Sequence, residues 1–466
     1  MTEQPRTRQE LYDRIRQTSK DEFILEEMIR LGFWPRQGTL PEDPAEEIRR
    51  QGELQRELEA LRSESRKLNN EEHLRKAARK LRLQESRQKQ QQNKERREQE
   101  RIARAQVWEQ RKQHEILYLG EGVSGGLSAT ECDHERLASY GLPALGSAEQ
   151  IASAMGISVG QLRFLAFSRR TSKVSHYIRF TIPKKSGGER LISAPLPRLK
   201  HIQHWLLANL LTNIPLHEAA HGFRTGHSIV TNARPHVGAD VVVNLDLKNF
   251  FPTITYKRVK GLFRALGYSE AAATIFGLLC TEPEVAALSL DQTTYYVSQG
   301  TRHLPQGAPT SPAITNLLCR RFDRRLTAMA TALGSQYTRY ADDLTFSASG
   351  ENLRHICTLL RRIESIVTHE GFVINEAKTR ILRGGSQQEV TGIVVNNKLS
   401  VCRKTLRRFR ALLFQIERDG PSGKHWEGAP NLFAAMQGFA NFVYMVDPER
   451  GLPLRQKVRH LRSLHG

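Results

Sequence analysis

Residues 337–346 read YTRYADDLTF, and this stretch decides the fold. Strand-forming residues flank Asp342 and Asp343 on both sides, which predicts two strands joined by a tight turn that carries both carboxylates. Adjacent aspartates repel each other and gain nothing from a hydrophobic core, so their pairing favours a divalent cation site. Hard oxygen ligands select Mg²⁺. An ordinary exposed turn would also fit these residues taken alone.

Another carboxylate lies at the end of a predicted strand 96 residues before Asp342. Residues 241–246 read VVVNLD, an apolar run that predicts a buried strand ending in Asp246. A charge in this position is costly unless it is paired or bound to a metal. Three carboxylates on two strands can hold two metal ions, which activate an attacking hydroxyl and stabilise a leaving pyrophosphate.

Further motifs complete a resemblance to reverse transcriptases. DLKNFF at 246–251 is similar to their motif A, LPQGAPTSP at 304–312 to motif B, and YADD at 340–343 to motif C. A run rich in proline and glycine that leads into a helix, such as 304–312, lets the backbone approach a nascent base pair. KKSGGER at 184–190 resembles the fingers hairpin that holds the triphosphate, and GFVINEAKT at 371–379 resembles motif D.

The resemblance covers about residues 150–466. Short predicted strands mixed with helices, without a βαβ rhythm, independently suggest an α+β fold. The resemblance implies a right-hand polymerase with fingers, palm and thumb, and the activity of an RNA-directed DNA polymerase. The implied catalytic residues are Asp246, Asp342, Asp343 and Lys378, with Lys378 as the general acid. The implied ligands of two Mg²⁺ ions are Asp246, Leu247, Asp342 and Asp343. The implied dNTP-binding residues are Lys184, Lys185, Arg190, Phe251, Gln306 and Gly307.

Three of these assignments have open alternatives. Either Lys184 or Lys185 would hold the triphosphate, and a solvated surface lysine is the alternative for Lys378. Phe251 stands at the position of the steric gate, an aromatic ring that rejects a ribose 2′-hydroxyl. Because Phe250 and Phe251 cannot both face one side of a strand, one of them is expected in the core.

Two short motifs narrow the resemblance to retron reverse transcriptases. Residues 232–236 read NARPH and fit an N-A-x-x-H pattern, and residues 390–392 read VTG. This implies that Asn232 and His236 contact RNA. It also implies a cognate structured non-coding RNA, priming from an internal guanosine 2′-hydroxyl, branched msDNA as product, and a separate antiphage effector protein. A group II intron-like reverse transcriptase and a catalytically inactive RNA-binding scaffold are the alternatives.

The composition agrees with a polyanionic partner. The chain has 466 residues and a formal net charge of +21, which would be neutralised by phosphates. Its five cysteines form no C-x-x-C pair, as expected in a reducing compartment. There is neither a stretch of eighteen apolar residues nor an apolar signal core, so we expect no membrane contact and a location in the bacterial cytoplasm. The oligomeric state stays open.

The chain is expected to contain an N-terminal, mostly helical basic extension and a polymerase. The predicted segments are 1–52 (short helices with a turn at 38–44), 53–126 (a long basic helix or arm and a glycine linker), 135–240 (fingers and the start of the palm), 241–400 (palm) and 401–466 (thumb). Residues 75–112 contain 14 Lys and Arg against 5 Asp and Glu. This arm is a solvated helix, a nucleic-acid-binding arm, or a helix that binds a partner or a second copy.

Local patterns predict individual elements within the polymerase. We expect a helical pair at 147–168, a β-hairpin at 177–190, helices at 196–211, 320–333, 353–368 and 403–418, and β-structure at 391–400. The last helix is crowded with basic residues that would grip RNA: Arg403, Lys404, Arg407, Arg408 and Arg410. Aromatic residues lie among and after them, and helix core is the alternative to base stacking for Phe409, Phe414, Trp426 and Tyr444.

Overall fold

The computed structural model describes residues 7–17, 24, 27, 28, 30–33, 61, 72–184 and 187–465. The chain divides into two units, Met1–Arg104 and Ala105–Gly466. None of the described helices combines the length and the apolar composition of a membrane span.

The N-terminal part is helical where it is described. Helix α1 spans Arg8–Gln17 and helix α2 spans Glu72–His114. With 43 residues, α2 is about 65 Å long at about 1.5 Å per residue. Every described side chain of α2 is exposed, so the helix is confirmed while all three interpretations of the arm stay open. The predicted turn at 38–44 and the predicted start of the long helix at 53 lie outside the described residues.

Short capped helices open the larger unit. Helix α3 spans His134–Ser139, α4 spans Ala148–Ala154 and α5 spans Val159–Ala166. Helices α4 and α5 each begin with a serine capping box, in which the serine side chain accepts from the backbone three residues on while a glutamine bonds back. The helical pair predicted at 147–168 is therefore confirmed.

A β-hairpin projects next from the chain and confirms the hairpin predicted at 177–190. After the two-residue strand β1 (Thr171–Ser172), strand β2 (Tyr177–Pro183) pairs with β3 (Glu189–Pro195) in antiparallel register. The Lys184 N–H donates to the Gly188 carbonyl and closes the loop.

The elements from α6 to β9 follow in chain order. They are α6 (Pro197–Leu206, continued by a π-helical turn Leu207–Leu211), α7 (Ile229–Ala233, continued by the 3₁₀ turn Arg234–His236), β4 (Val241–Asp246), α8 (Tyr256–Ala265), α9 (Glu270–Cys280), β5 (Glu282–Leu290) and β6 (Thr293–His303). The rest are α10 (Ser311–Leu318), α11 (Arg320–Ala332), β7 (Gln336–Tyr340), β8 (Asp343–Ala348), a 3₁₀ turn (Gly350–His355), α12 (Ile356–His369), a 3₁₀ turn (Glu376–Lys378) and β9 (Arg380–Arg383).

The central sheet has the strand order β7-β8-β4-β9, with every neighbouring pair antiparallel. Strand β4 is buried on both faces near its start. Val241 and Val243 belong to the main core, whereas Val242 belongs to a second core shared with the C-terminal helices. Burial on both sides explains why this strand is a continuous apolar run rather than an alternating one.

Strands β5 and β6 form a long hairpin that was not predicted, and β1 adds to it to give the order β1-β6-β5. Its turn residues, Asp291 and Gln292, both have positive φ, at 47° and 59°. Asn-Gly and Asp-Gly are the usual signals for such a turn, and Asp-Gln is not among them. Strand β6 reads TTYYVSQGTRH, in which apolar and polar residues do not alternate regularly.

The β-structure predicted at 391–400 is wrong for most of its length. Only the two-residue strands β10 (Glu389–Val390) and β11 (Ile393–Val394) form, on either side of a turn. Thr391 and Gly392 occupy that turn with φ of 47° and 86°. The left-handed backbone ends one strand and reverses the chain.

Three C-terminal helices pack around the second core: α13 (Arg403–Asp419), α14 (Leu432–Val446) and α15 (Pro448–His465). Phe409 and Trp426 are buried there, and their rings meet edge-on at 5.0 Å. Phe414 and Tyr444 keep 58% and 37% of their surface exposed. Phe409 and Trp426 are therefore core residues of the helices. Phe414 and Tyr444 lie at the surface, where base stacking stays open.

The glycine-rich segment 120–126 was predicted to be a linker, and this is wrong. Leu119, just before it, is fully buried in the main core. A side chain at Gly120 would collide with the Ser168 backbone, and one at Gly126 with the Glu270 side chain. These glycines allow close packing on the globular unit, which begins before them.

Candidate active site

The β7–β8 turn and the end of β4 bring three carboxylates together. Tyr340 pairs with Asp343 across the turn, and Ala341 takes a left-handed conformation with φ of 58°. On the neighbouring strand, Asp246 is the register partner of Asp343. The Leu247 N–H donates to the Asp342 carbonyl at 3.1 Å, which places the backbone of motif A against the turn.

A buried polar network holds the β7–β8 turn in place. Arg339 and Asp323 form an ion pair with no exposed side-chain surface, with Nη2 2.7 Å from Oδ2. Arg339 Nη1 also donates to the Ala341 carbonyl at 3.1 Å and to Asn316 Oδ1 at 3.0 Å. Asn316 Nδ2 in turn donates to the Gly222 carbonyl at 2.8 Å. The strained turn is therefore fixed by charge-assisted bonds that bulk water does not screen.

The carboxylates of Asp342 and Asp343 have raised pKa values in the absence of a cation. Burial raises the pKa of Asp342, and the charge of Asp246 adds to this while Lys378 and Arg190 oppose it. The pKa of Asp343 is raised to about 6, first by burial of its carboxyl and then by the negative charges of Asp342 and Asp246. Part of the residue nevertheless remains exposed to solvent. Mutual repulsion of this kind is relieved by a bound cation.

Asp246 already has two donors on its carboxylate. Lys378 Nζ lies 2.9 Å from Oδ1, and Asn375 Nδ2 lies 2.9 Å from Oδ2. The Asn375 N–H also donates to the Asp246 carbonyl at 2.7 Å. Throughout the described part of the chain, no three His, Cys, Asp or Glu side chains form a ready-made cage for a metal ion. The acidic oxygens fit a divalent cation in chemistry, but Asp246 faces a lysine and an amide instead.

A cleft of about 760 Å³ opens in front of these residues. Its lining brings together the predicted groups Lys184, Arg190, Asp246, Leu247, Phe251, Gln306, Asp342 and Lys378. Asp343 borders an adjoining cavity. Lys185 lies outside the described residues.

Two predicted nucleotide-site residues are held by backbone contacts between β3 and the 304–312 loop. The Ser193 N–H on β3 donates to the Gln306 carbonyl at 2.8 Å. Gly307 has φ of 126°, and a Cβ there would lie 2.9 Å from the Ser193 carbonyl oxygen. Glycine is therefore required where the 304–312 loop meets the hairpin.

The phenylalanine pair divides as expected. Phe250 is 4% exposed and its ring lies 5.5 Å from that of Phe372 in the core. Phe251 is only partly buried, with its ring 6.4 Å from that of Phe223. Phe251 is thus the better placed of the two to meet a nucleotide sugar.

Comparison with known proteins agrees with this arrangement. Residues 182–398 match the family model described as reverse transcriptase (RNA-dependent DNA polymerase). The chain is 42% identical over 383 residues to the retron Mx162 reverse transcriptase of Myxococcus xanthus, covering 78% of each protein. It is 43% identical to the retron Mx65 enzyme of the same organism, over 70% of this chain and 75% of that enzyme. It is 31% identical to the retron Ec86 enzyme of Escherichia coli, over 71% and 94%.

The chain belongs to the retron reverse transcriptases. It is therefore an RNA-directed DNA polymerase of the α+β right-hand type, which copies an RNA template with the help of divalent metal ions. Because these relatives are retron enzymes, the alternatives of a group II intron-like enzyme and of an inactive scaffold are set aside.

The motif residues of this retron reverse transcriptase that were expected to touch RNA lie inside the protein. Asn232 and His236 are fully buried. His236 joins two palm strands, with Nδ1 2.7 Å from Ser347 Oγ and Nε2 2.8 Å from Thr338 Oγ1. Asn232 Nδ2 lies 3.5 Å from Thr391 Oγ1, so the N-A-x-x-H and V-T-G motifs meet. Direct RNA contact by these two side chains does not fit this burial, and the motifs instead fix the back of the palm.

The basic residues of α13 lie where they were predicted. All five are exposed, and Arg408 pairs with Glu427 at 3.4 Å.

The buried network around Arg339 and Asp323 was not predicted, although the sequence contained a sign of it. Arg339 stands one residue before YADD inside a strand, and a charged residue on a buried strand needs a buried partner.

Proposed function

We propose that this reverse transcriptase makes branched msDNA, in which DNA is joined to a cognate structured RNA through the 2′-hydroxyl of an internal guanosine. The antiphage role, the separate effector protein and the bacterial cytoplasmic location belong to the same proposal. The observation that carries the catalytic part is the convergence of Asp246, Asp342 and Asp343 at one mouth of a cleft lined with basic groups.

We assign the metal site to Asp246, Asp342, Asp343 and the Leu247 backbone carbonyl. Two Mg²⁺ ions bound there supply the charge that activates the priming hydroxyl and neutralises the leaving pyrophosphate. Lys184 and Arg190 hold the triphosphate from the hairpin, because their cations line the same cleft as the carboxylates of Asp246 and Asp342. Lys185 is assigned to the same task from the sequence alone.

The remaining residues control which nucleotide and which template are used. Phe251 packs under the incoming sugar and rejects a 2′-hydroxyl. Gln306 and Gly307 bring the backbone of their loop close to the nascent base pair. Lys378 Nζ donates a proton to the leaving pyrophosphate. The exposed cations of α13 grip RNA.

Family membership supports priming from the RNA itself, and a product analysis tests it. The purified enzyme is given its cognate RNA, dNTPs and Mg²⁺ in two forms, with and without a 2′-deoxy substitution at the candidate guanosine. We expect DNA covalently joined to the unmodified RNA and a debranching enzyme to release it. The deoxy RNA is expected to yield no joined product.

Extension of an annealed DNA primer on a generic RNA template serves as the control. If both RNAs give equal amounts of unattached DNA, the priming proposal is wrong while the polymerase remains. If the generic template is not copied at all, the assigned active site is at fault.

A further inference from the structure

Lys378 occupies the side of Asp246 that a metal ion would use. Its ammonium lies 2.9 Å from Asp246 Oδ1, and the Asp246 side chain is only 13% exposed. An ammonium and a divalent cation on the same carboxylate oxygen would stand about 4 Å apart or closer, where like charges in a partly buried site repel each other strongly. The two cations therefore exclude each other.

The neighbouring amide behaves differently. Asn375 also donates to the Asp246 carboxylate, but it is neutral and its backbone is tied to that of Asp246. It carries no net charge, so a bound cation repels it much less than it repels an ammonium. Lys378, in contrast, is reached through a flexible chain, and 49% of its side-chain surface is exposed. Lys378 can therefore leave the Asp246 carboxylate while Asn375 stays bound to it.

We propose that Lys378 is a resident counter-ion of Asp246, that the divalent cation displaces it, and that its displacement frees the ammonium to meet the triphosphate. This inference rests on the proposed metal site. The lysine stabilises the carboxylates when no metal is bound, and it becomes available only on a loaded site. The exchange orders events, since the proton donor is released after the cations that make it useful.

The test measures binding of Mn²⁺ alone, without nucleotide or nucleic acid, by titration calorimetry and by the free-Mn²⁺ electron paramagnetic resonance signal. Lys378→Met keeps the length of the side chain and removes its charge, so we expect Mn²⁺ to bind about tenfold tighter or more, equivalent to 1.36 kcal/mol per tenfold. Lys378→Arg keeps a cation at Asp246, so its affinity is expected to equal the wild-type value or fall below it.

Lys248→Met is the matched control. Lys248 lines the same cleft, yet no ion pair to it occurs among the described residues. The same change in net charge is expected to alter Mn²⁺ affinity much less there than at Lys378. Melting temperatures in chelator and in Mn²⁺ give a second measurement, with the larger metal-induced rise expected in Lys378→Met.

The outcomes separate the exchange from the site on which it rests. If Asp342→Asn abolishes Mn²⁺ binding while Lys378→Met leaves the affinity unchanged, or changes it no more than Lys248→Met, the exchange is wrong and the metal site stands. If wild-type binding is absent or insensitive to Asp342→Asn, the proposed metal site fails, and the exchange fails with it.

Discussion

At the scale of one residue, Asp343 shows that a carboxylate suited to an active site can lower the stability of the folded protein. The folded protein raises the pKa of Asp343 to about 6, whereas an unfolded aspartate titrates near 3.9. The folded state therefore binds a proton more tightly than the unfolded state, and ionisation above pH 6 disfavours folding in the absence of metal. Burial and like charges are tolerated because the same carboxylates are positioned for a cation.

Replacing Asp342 or Asp343 with asparagine is expected to abolish DNA synthesis, with a loss of more than about 100-fold, because a charged metal ligand is removed. RNA binding is expected to survive. For Asp343→Asn, the metal-free protein is also expected to melt at a higher temperature at pH 7, with the gain shrinking as the pH falls through 6 toward 4. Primer extension, RNA titration and thermal melts check these points. Synthesis at the wild-type rate would contradict the assignment.

Phe251→Ala is expected to raise incorporation of ribonucleotides relative to deoxyribonucleotides, because the ring beside the sugar is lost. The measurement is the ratio of kcat/KM for a dNTP and its rNTP. Phe250→Ala is the matched control, because its ring lies in the core. We expect this variant to lose about 3–5 kcal/mol of unfolding free energy and to melt at a lower temperature. Its ratio of kcat/KM values is expected to change little. An unchanged ratio in Phe251→Ala would remove it as the gate.

At the scale of elements, His236 bonds the 3₁₀ turn after α7 to strands β7 and β8. Burial, with a smaller contribution from the charge of His221, lowers its pKa to about 3. An unfolded histidine titrates near 6.5, so below that pH the unfolded chain binds a proton that the folded protein excludes. This contribution is absent at pH 7 and destabilises the fold progressively as the pH falls from 6.5 toward 3.

Lowering the pH from 7 to 5 is therefore expected to cost the wild-type protein about 2 kcal/mol through His236. His236→Gln is expected to be less stable at pH 7 and to lose that part of the pH dependence. Denaturant unfolding at both pH values measures it. Because the side chain is buried, initiation on cognate RNA and extension of an annealed primer are expected to decline together. A selective defect in initiation would instead restore a direct role in RNA recognition.

Helix α13 offers exposed cations that can be removed without touching the core. Arg403, Arg407 and Arg410 have no ion-pair partner among the described residues, whereas Arg418 on the same helix pairs with Asp419. Changing the first three to glutamine is expected to weaken RNA binding and to lower the slope of log K against log salt by about 2, if each contacts one phosphate. Arg418→Gln is the control. Equal slopes in all proteins would show that α13 does not grip RNA.

The elements that sequence reasoning could find are those with a strong local signal. The catalytic hairpin, β4 and the α4–α5 pair follow from the spacing of apolar residues and the cost of a charged strand end. The β5–β6 hairpin could not be found in this way, because Asp291 and Gln292 form its turn without the usual glycine. The pairing of Arg339 with Asp323 is a tertiary fact, since local spacing does not say which buried acid meets which buried base.

At the scale of the whole molecule, the basic arm and the polymerase are separate units. Composition placed their boundary at the glycines 120–126, yet Ile116 and Leu119 already belong to the polymerase core. Glycine content alone does not distinguish a flexible linker from a tightly packed segment. Burial of the flanking apolar residues does, and truncations of this enzyme are best made before residue 105.

Deleting residues 1–104 is expected to leave extension of an annealed primer largely unchanged, because every residue assigned to the active site lies in the other unit. If the arm binds nucleic acid, affinity for cognate msDNA is expected to fall at least about tenfold, with a shallower salt dependence. Changing the exposed Arg96, Arg97, Arg101 and Arg104 to glutamine in the full chain is the matched test, because it removes charge and keeps the helix. A solvated helix predicts equal affinities and salt slopes in the wild type, the deletion and the glutamine variant.

A helix that binds a partner or a second copy predicts an altered mass in solution for the deletion protein. In that case the glutamine variant is expected to bind msDNA as the wild type does. Loss of primer extension from a well-folded deletion protein would place the arm within the polymerase itself.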